Sequence, residues 1–202
     1  MAKTPASASP DARILELAET HLRKFGPARF TVVAVADDLG MSHANIYRYF
    51  SSKAGLLEAV TAQWLKPIEA ALRDIADSPD PARDKLERML SGLHRAYREK
   101  LQSDPYLFAV FAESVRASGG VARKHRNRIQ AELRRVLEEG MASSVFAEEE
   151  HSRTLALIFD ATHRFIHPVC VALDREIPRD RVAARFERTL EALLGALSGR
   201  RW

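Results

Sequence analysis

Residues 31–53 read TVVAVADDLGMSHANIYRYFSSK and contain two short helical patterns separated by a glycine. The first pattern places four residues on one apolar face: Val32, Val35, Ala36 and Leu39. Gly40 can supply a sharp turn, and Ser42 is a favourable N-cap for the second pattern. The second helix is expected to run from His43 to Phe50, with Ile46 and Phe50 facing inward. Ala36 is small enough to let the two helices cross closely. This arrangement predicts a helix-turn-helix.

A helix-turn-helix presents the N-terminal part of its second helix to the base edges in the major groove of DNA. Arg48 can donate two hydrogen bonds to guanine, Asn45 can bind adenine or a phosphate, and Ala44 can contact a thymine methyl group. Tyr49 and Lys53 suit the phosphate backbone, which positions a protein without specifying sequence. The full set of predicted DNA-contacting residues is Thr31, Ser42, His43, Ala44, Asn45, Tyr47, Arg48, Tyr49 and Lys53.

The same side chains also have ordinary structural interpretations. Tyr47 and Tyr49 can be half-buried packing residues, because tyrosine often packs its ring and exposes its hydroxyl group. Arg48 can be a solvated surface arginine. As a set with the turn pattern, the residues favour DNA binding.

The composition of the 202-residue chain predicts a soluble globular protein, and the period of its apolar residues predicts an all-α fold. Hydrophobic residues make up 46% and charged residues 29%, which is typical of globular proteins. Apolar residues recur with a helical period in about nine segments, and no segment shows convincing strand alternation. The formal net charge of +4 agrees with nucleic-acid binding but also with a mixed, solvated surface.

The segments divide the chain into three predicted parts. Residues 1–8 are small and polar, match neither a signal peptide nor a membrane span, and are expected to form a disordered arm. Residues 9–57 are expected to form a three-helix helix-turn-helix DNA-binding domain. A long helix after Ser52 then leads into residues 58–202, a second helical domain.

Glycine and proline mark the expected ends and bends of helices. Gly26-Pro27 should end the first helix, since glycine accepts the left-handed conformation and proline prevents continuation. Pro67 and Pro168 lie inside helical patterns, where each removes a backbone hydrogen bond and is expected to kink its helix.

Residues around the turn resemble the tetracycline-repressor-like (TetR) family of bacterial regulators. They are Phe30-Thr31, Ala36, Leu39-Gly40, Ile46 to Phe50, Ser52-Lys53 and Leu56-Leu57. The match covers about the first quarter of the chain. The resemblance implies a homodimer, with a C-terminal helical domain (58–202) that binds a small-molecule effector and pairs the subunits. It also implies that Tyr47, Tyr49 and Lys53 lie where the family contacts DNA. Gly55 departs from the pattern, because the family often has a stronger helix former there.

An effector pocket is expected between the central helices of the second domain. The candidate ligand-binding residues are Tyr97, Phe108, Phe111, Phe159, His163 and His167. His163 and His167 are four residues apart, as metal ligands often are, but no nearby cysteine or acid completes a convincing set. We therefore predict pocket, core or interface histidines, and no metal or cofactor. Cys170 is expected to be a small buried hydrophobe and not a redox switch.

A basic run between Arg123 and Arg135 has two interpretations. It can form a second nucleic-acid patch, or an exposed helix face with salt bridges to Glu132 and Glu138. The second is favoured, because the charges spread around the outside while Ile129 and Leu133 face inward.

The last two helical segments have apolar faces too broad for one neighbour, which favours a four-helix interface in a two-fold dimer. Two recognition helices would then meet successive major grooves roughly 34–36 Å apart, so the operator is expected to be palindromic or nearly so.

These patterns favour a cytoplasmic repressor that a small-molecule effector releases from its double-stranded DNA operator. Effector and operator would favour different dimer arrangements, with the long helix after Ser52 coupling them. An architectural or constitutive DNA-binding protein without a ligand is the alternative, and it predicts a filled central core.

An enzyme is not expected, since the sequence has no nucleophile elbow, P-loop or HExxH motif. No membrane association is expected, and the single cysteine cannot form an internal disulfide.

Overall fold

The computed structural model describes residues 9–198. Over this range the chain forms ten α-helices and no strand, which confirms the expected all-α class. The helices are α1 (Pro10–Arg29), α2 (Val32–Asp38), α3 (His43–Tyr47), α4 (Lys53–Ala76), α5 (Ala82–Ser103), α6 (Pro105–Arg116), α7 (Gly120–Ala142), α8 (His151–Ile166), α9 (Pro168–Leu173) and α10 (Arg179–Leu197). Helices α8 and α9 are separated only by His167, so counting them together gives the nine expected segments. The predicted arm, residues 1–8, lies outside the described range.

Helices α1 to α3 and the first turns of α4 pack around a small core. Its fully buried side chains include Ile14, Leu22, Val35, Ile46 and Leu56. Thr31 caps α2, because its Oγ1 accepts a hydrogen bond from the Ala34 N–H at 3.1 Å. A contact of 2.7 Å between His21 Nε2 and an Asp38 carboxylate oxygen joins α1 to α2.

Gly26 interrupts α1 as predicted, with a φ of +72° that L side chains rarely adopt. One further helical turn, beginning at Pro27, follows the break. The Tyr106 ring of α6 lies directly against Gly26, 3.1 Å from the position that a Cβ atom would occupy. The chain therefore turns at the place where the N-terminal helices meet the second domain.

The other two prolines behave differently from each other. Pro168 follows a real break: α8 ends at Ile166, and His167 has an extended ψ of +121° before α9 begins. Pro67 does not end its helix, because α4 continues from Lys53 to Ala76. The long connecting helix is therefore one element between the two parts of the molecule.

The second domain consists of α5 to α10 together with the C-terminal part of α4. Helix α4 lies along α7, and α6 packs between α1 on one side and α9 on the other. An 18-residue window within His151–Leu173 reaches a mean hydropathy of 1.2, long and apolar enough to cross a membrane by composition alone. In the fold α8 packs against α5, α7 and α10, and 39% of this window is buried.

Candidate DNA interface and effector cavity

The second helix of the turn is shorter than predicted, spanning His43 to Tyr47 and not reaching Phe50. Ser42 caps it, because its Oγ accepts the Asn45 N–H at 3.3 Å. The N–H of Arg48 donates to the Asn45 carbonyl, a three-residue bond that tightens the last turn and ends the regular helix early. Ile46 is completely buried and anchors this helix to the domain core.

Most residues predicted to contact DNA lie on the solvent side of this helix and the turn after it. The side chains of Tyr47 and Tyr49 are 43% and 45% exposed. His43, Ala44 and Arg48 are also exposed, whereas Asn45 is half-buried and donates from Nδ2 to the Met41 sulfur at 3.9 Å. The His43 and Tyr47 rings meet edge to face at a centroid distance of 6.3 Å. A continuous patch of rings and polar groups therefore faces outward.

Lys53 and Thr31 lie at one edge of this patch. Lys53 is the first residue of α4, and its Nζ donates to the Phe30 carbonyl oxygen at 2.6 Å. This bond places the start of α4 beside the start of α2, where Thr31 is the exposed N-cap. Ser52 caps α4 by accepting the Gly55 N–H at 3.0 Å. Two helix N-termini and an ammonium group meet here, a combination suited to a phosphate.

A cavity of about 510 Å³ lies between α5, α6, α7 and α8. Five of the six predicted ligand-binding residues line it, namely Tyr97, Phe111, Phe159, His163 and His167. Phe108 does not: it is fully buried behind the wall and meets Trp64, Tyr97 and Phe111 edge to face. Phe108 lies one turn before Phe111 on the same apolar stripe of α6. Helical spacing alone therefore does not distinguish a residue that lines the cavity from one that is buried in the core behind it.

Five polar residues of the cavity were not predicted: Ser118, Arg123, His125, Arg126 and Asp160. Arg123 and Arg126 are exposed, as expected for this basic run, and they also border the cavity. The guanidinium of Arg126 lies 5.6 Å from the centre of the Phe159 ring. The three-residue spacing of these arginines, next to Ala122 and Ile129 on the inward stripe, was the available signal. Elsewhere in the run Arg135 binds Glu132 at 2.6 Å, as expected.

A buried chain of hydrogen bonds leads from this cavity to the connecting helix. The Tyr97 hydroxyl lies 2.9 Å from His125 Nε2, and His125 Nδ1 lies 2.7 Å from a Glu69 carboxylate oxygen on α4. Burial strongly raises the pKa of Tyr97, so its hydroxyl stays protonated and donates. Burial opposes ionisation of Glu69, but the His125 hydrogen bond and the charge of Arg128 outweigh it and lower the pKa of Glu69. The carboxylate therefore accepts from His125, and the chain has a defined direction.

Asp104 forms a second connection between the two parts of the molecule. Its carboxylate accepts from Arg23 of α1 at 2.8 Å and from the Trp64 ring N–H of α4 at 3.0 Å. Burial opposes ionisation, but the Trp64 and Arg23 hydrogen bonds outweigh it and lower the pKa of Asp104. Lys100 covers the Trp64 ring, with Nζ 4.1 Å from its centre. Three helices are thus fixed at one polar junction.

His163 and His167 line the cavity with their rings stacked, 4.4 Å apart and 19° from parallel. The expectation that no nearby cysteine or acid completes a set with them is wrong. Ligand atoms of His163, His167 and Cys170 all lie within 4.8 Å of one another, and Asp160 borders the same cavity. Cys170 is half-buried and not enclosed in the core. Burial, with the charges of His163 and Arg126, lowers the pKa of His167.

Two family models match the chain. Residues 14–60 match "Bacterial regulatory proteins, tetR family", and residues 82–189 match "Tetracyclin repressor-like, C-terminal domain". Among similar proteins, the HTH-type transcriptional regulator Rv1816 of Mycobacterium tuberculosis is 36% identical over 74 residues, 37% of this chain and 29% of that protein. The HTH-type transcriptional regulator BetI of Stenotrophomonas maltophilia is 37% identical over 70 residues, 34% of this chain and 36% of that protein. The matched segment thus spans about a third of the length of these relatives.

Solved structures share the fold over nearly the whole chain. The regulator FadR from Bacillus subtilis, in complex with stearoyl-CoA, matches with a TM-score of 0.66 and 21% identity, covering 92% of this chain and 98% of that one. RolR, in complex with resorcinol, matches with a TM-score of 0.65 and 18% identity, covering 94% and 88%. A protein from Rhodococcus sp. RHA1 reaches a TM-score of 0.71 at 18% identity, covering 98% and 100%.

Proposed function

This chain belongs to the TetR family of bacterial transcriptional regulators, and from that premise we propose that it is a dimeric repressor released from its operator by a small-molecule effector. The observation that supports this most is the connection of an internal cavity to the DNA-binding half through α4. The cavity contributes Tyr97 and His125, the hydrogen-bond chain ends on Glu69 of α4, and α4 begins at Lys53.

The DNA contacts divide by role. The residues of α3 and its following turn enter the major groove, with Arg48 the main determinant of base preference. Lys53, Thr31 and Tyr49 bind phosphates and set the register. Before DNA binds, Lys53 donates to the Phe30 carbonyl, and a phosphate replaces that partner in the complex.

The cavity suits a compact effector that combines a ring with a polar or acidic group. Its volume of about 510 Å³ is within the usual range for small-molecule sites. Phe111 and Phe159 supply aromatic walls, while Arg123 and Arg126 supply positive charge against the single Asp160 carboxylate. A ligand that competes for the Tyr97 hydroxyl would disturb the hydrogen bond to His125 and, through it, the position of Glu69. Movement of α4 would then alter the separation of the two recognition helices in a dimer.

The dimer is proposed to form through α8 and α10. Their outer faces border a shallow groove lined by Leu157, Ala161, Phe165, Ala192, Leu193 and Ala196, among others. Leu157 is 47% exposed on this face. Small alanines allow two helix pairs to approach closely, so a second copy would bury the groove in a four-helix interface.

A constitutive or architectural DNA-binding protein is the second candidate. It requires a filled central domain and little sequence preference, and the cavity argues against the first requirement. We place the protein in the cytoplasm as a non-enzymatic regulator, since its family consists of DNA-binding regulators.

Selection of bound duplexes from a random pool tests the proposal, and two variants separate the two kinds of contact. Lys53→Gln is expected to weaken binding to all sequences similarly and to reduce the slope of log affinity against log salt by about one per subunit, about two for the dimer. Arg48→Gln is expected to relax preference at one base pair, at a cost of about 1–3 kcal/mol for the preferred base. Recovery of random sequences by the unmodified protein would favour the architectural alternative. An unchanged base preference in Arg48→Gln would remove Arg48 from the interface.

A further inference from the structure

Three side chains with metal-binding chemistry meet at the boundary between α8 and α9. His163, His167 and Cys170 follow one another at spacings of four and three residues, which place them on one side of the chain. We call them the His-His-Cys cluster. Their ligand atoms lie within 4.8 Å of one another. The cluster spans the break before Pro168, so its members belong to two helices and to the residue between them.

The distances are close to those of a coordinated ion. Zinc binds imidazole nitrogen at about 2.0–2.1 Å and thiolate sulfur at about 2.3 Å, so tetrahedral ligand atoms lie about 3.5 Å apart. Side-chain rotations that move the ligand atoms closer together by about 1 Å would give them the separation found around a zinc ion. His163 is exposed and Cys170 is half-buried, so both have room for this adjustment.

One atom of the cluster lacks a partner. His167 Nδ1 is buried and forms no hydrogen bond with any residue between 9 and 198. Buried polar atoms are nearly always paired, so an orphan atom indicates a partner that the protein alone does not supply.

The chemical types of the three ligand atoms indicate which class of metal ion the cluster would bind. Two imidazoles and one thiolate suit zinc and related transition metals, whereas magnesium and calcium prefer oxygen ligands. Charge near the cluster is mixed: Arg126 opposes a cation, while the thiolate and the Asp160 carboxylate, one turn before His163, favour it. The Arg126 guanidinium lies over the Phe159 ring, and this cation–π contact favours its position there.

We propose that His163, His167 and Cys170 bind one transition-metal ion of the zinc class, with a fourth coordination position open to the central cavity. Three protein ligands with an open position form a site that takes an additional ligand from solution, in contrast to a closed structural site. An acidic or nitrogen-containing group of a cavity ligand can occupy that position.

An effect of the bound ion on DNA binding rests on the proposed function, but metal binding by the His-His-Cys cluster does not. An ion held by residues of α8 and α9 would fix the angle between these helices. Helix α9 packs on α6, and α6 packs on α1 of the DNA-binding half. Occupancy is therefore expected to reach the DNA-binding half through α6, by a different path from the hydrogen-bond chain ending on Glu69.

The first experiment uses the unmodified protein without DNA. Titration with Co²⁺ is expected to give a thiolate-to-metal charge-transfer absorption that saturates at one ion per chain, and Zn²⁺ is expected to displace it. Cys170 is the only cysteine of the chain, so the reaction rate of its thiol with a disulfide reagent reports on this site alone. One equivalent of Zn²⁺ is expected to slow that reaction, and Mg²⁺ is expected to leave it unchanged. Absence of the absorption and of Zn²⁺ protection in the unmodified protein overturns the proposal.

Variants then identify the ligands. His163→Gln and His167→Gln are each expected to weaken Zn²⁺ binding by at least about 100-fold, since even second-shell changes cost 10–100-fold. His151→Gln, at the other end of α8, is the matched control and is expected to bind as the unmodified protein does. Circular dichroism verifies that each variant is folded. Equal Zn²⁺ protection in the His163→Gln/His167→Gln double variant overturns the assignment. A failure to bind DNA would leave all these readouts intact, so the two proposals fail separately.

Discussion

His94 lies in the core between α5, α8 and α10. Its Nδ1 is 3.0 Å from the Phe165 carbonyl oxygen, and its ring stacks on Phe186 at a centroid distance of 4.5 Å. Burial lowers the pKa of His94. The hydrogen bond to Phe165 opposes this shift, and the charge of Arg98 adds to it. The imidazole is thus kept neutral by its surroundings.

This depressed pKa makes the stability of the fold sensitive to mild acid. Around pH 6.5 and below, the unfolded chain takes up a proton on His94 more readily than the folded chain does, so the free energy of unfolding is expected to be lower at about pH 5.5 than at about pH 7.5. In His94→Gln this contribution is lost, and the difference in Tm between the two pH values is expected to shrink. Thermal melts monitored by circular dichroism measure it, with His151→Gln as control. An unchanged pH difference in His94→Gln would show that other groups cause it.

At the scale of single elements, Gly55 has a helical backbone conformation and Gly40 a positive φ. Substitution by alanine is therefore expected to change stability in opposite directions at the two positions. Gly55 lies inside the first turn of α4, where an added Cβ would meet only the Ser52 Oγ at 3.4 Å and the Ser51 Oγ at 3.6 Å. Gly55→Ala is therefore expected to stabilise the protein by roughly 1 kcal/mol, through the greater helix propensity of alanine.

Gly40 is the matched control, because the same substitution there has the reverse effect. Among the described residues no atom lies within 4 Å of an added Cβ, yet its φ of +66° strains any L side chain. Gly40→Ala is expected to destabilise by about 1–2 kcal/mol. Chemical denaturation of both variants tests the pair. A loss of stability in Gly55→Ala would mean that packing at the Ser52 cap outweighs propensity.

The elements themselves were largely predictable from local rules. Caps at Thr31, Ser42 and Ser52, and breaks at Gly26 and Pro168, follow from side-chain oxygens and fixed dihedral angles. The early end of α3 was missed because a tightened last turn leaves no sequence mark.

The candidate sites were less predictable, because they depend on which helices meet. Arg126 lies on a charged face that any solvated helix could have, and only the neighbouring α8 places it over Phe159. Phe108 and Phe111 share one stripe, but only Phe111 reaches the cavity. Cys170 follows His167 by three residues, so a search by helical spacing would have found the cluster.

At the scale of the whole molecule, the groove between α8 and α10 allows a test of dimer formation. Ala192 is exposed on α10 within this groove, so Ala192→Glu should leave the single subunit folded while placing a charge in the proposed interface. Light scattering after gel filtration is expected to show a dimer for the unmodified protein and a monomer for the variant. Ala131→Glu, at an exposed position of α7 outside the groove, is the control. A dimeric Ala192→Glu protein would locate the interface elsewhere.

Tyr106 and Gly26 make the two halves of the molecule interdependent in a way that restricts recombination. The tyrosine ring fills the space that every other amino acid would need at position 26, and the backbone there already has a positive φ. A chimera that joins the DNA-binding half of another protein to this second domain must therefore keep a glycine opposite Tyr106, or change both residues together. Exchange of domains between relatives therefore has to preserve this contact as well as the Asp104 junction with Arg23 and Trp64.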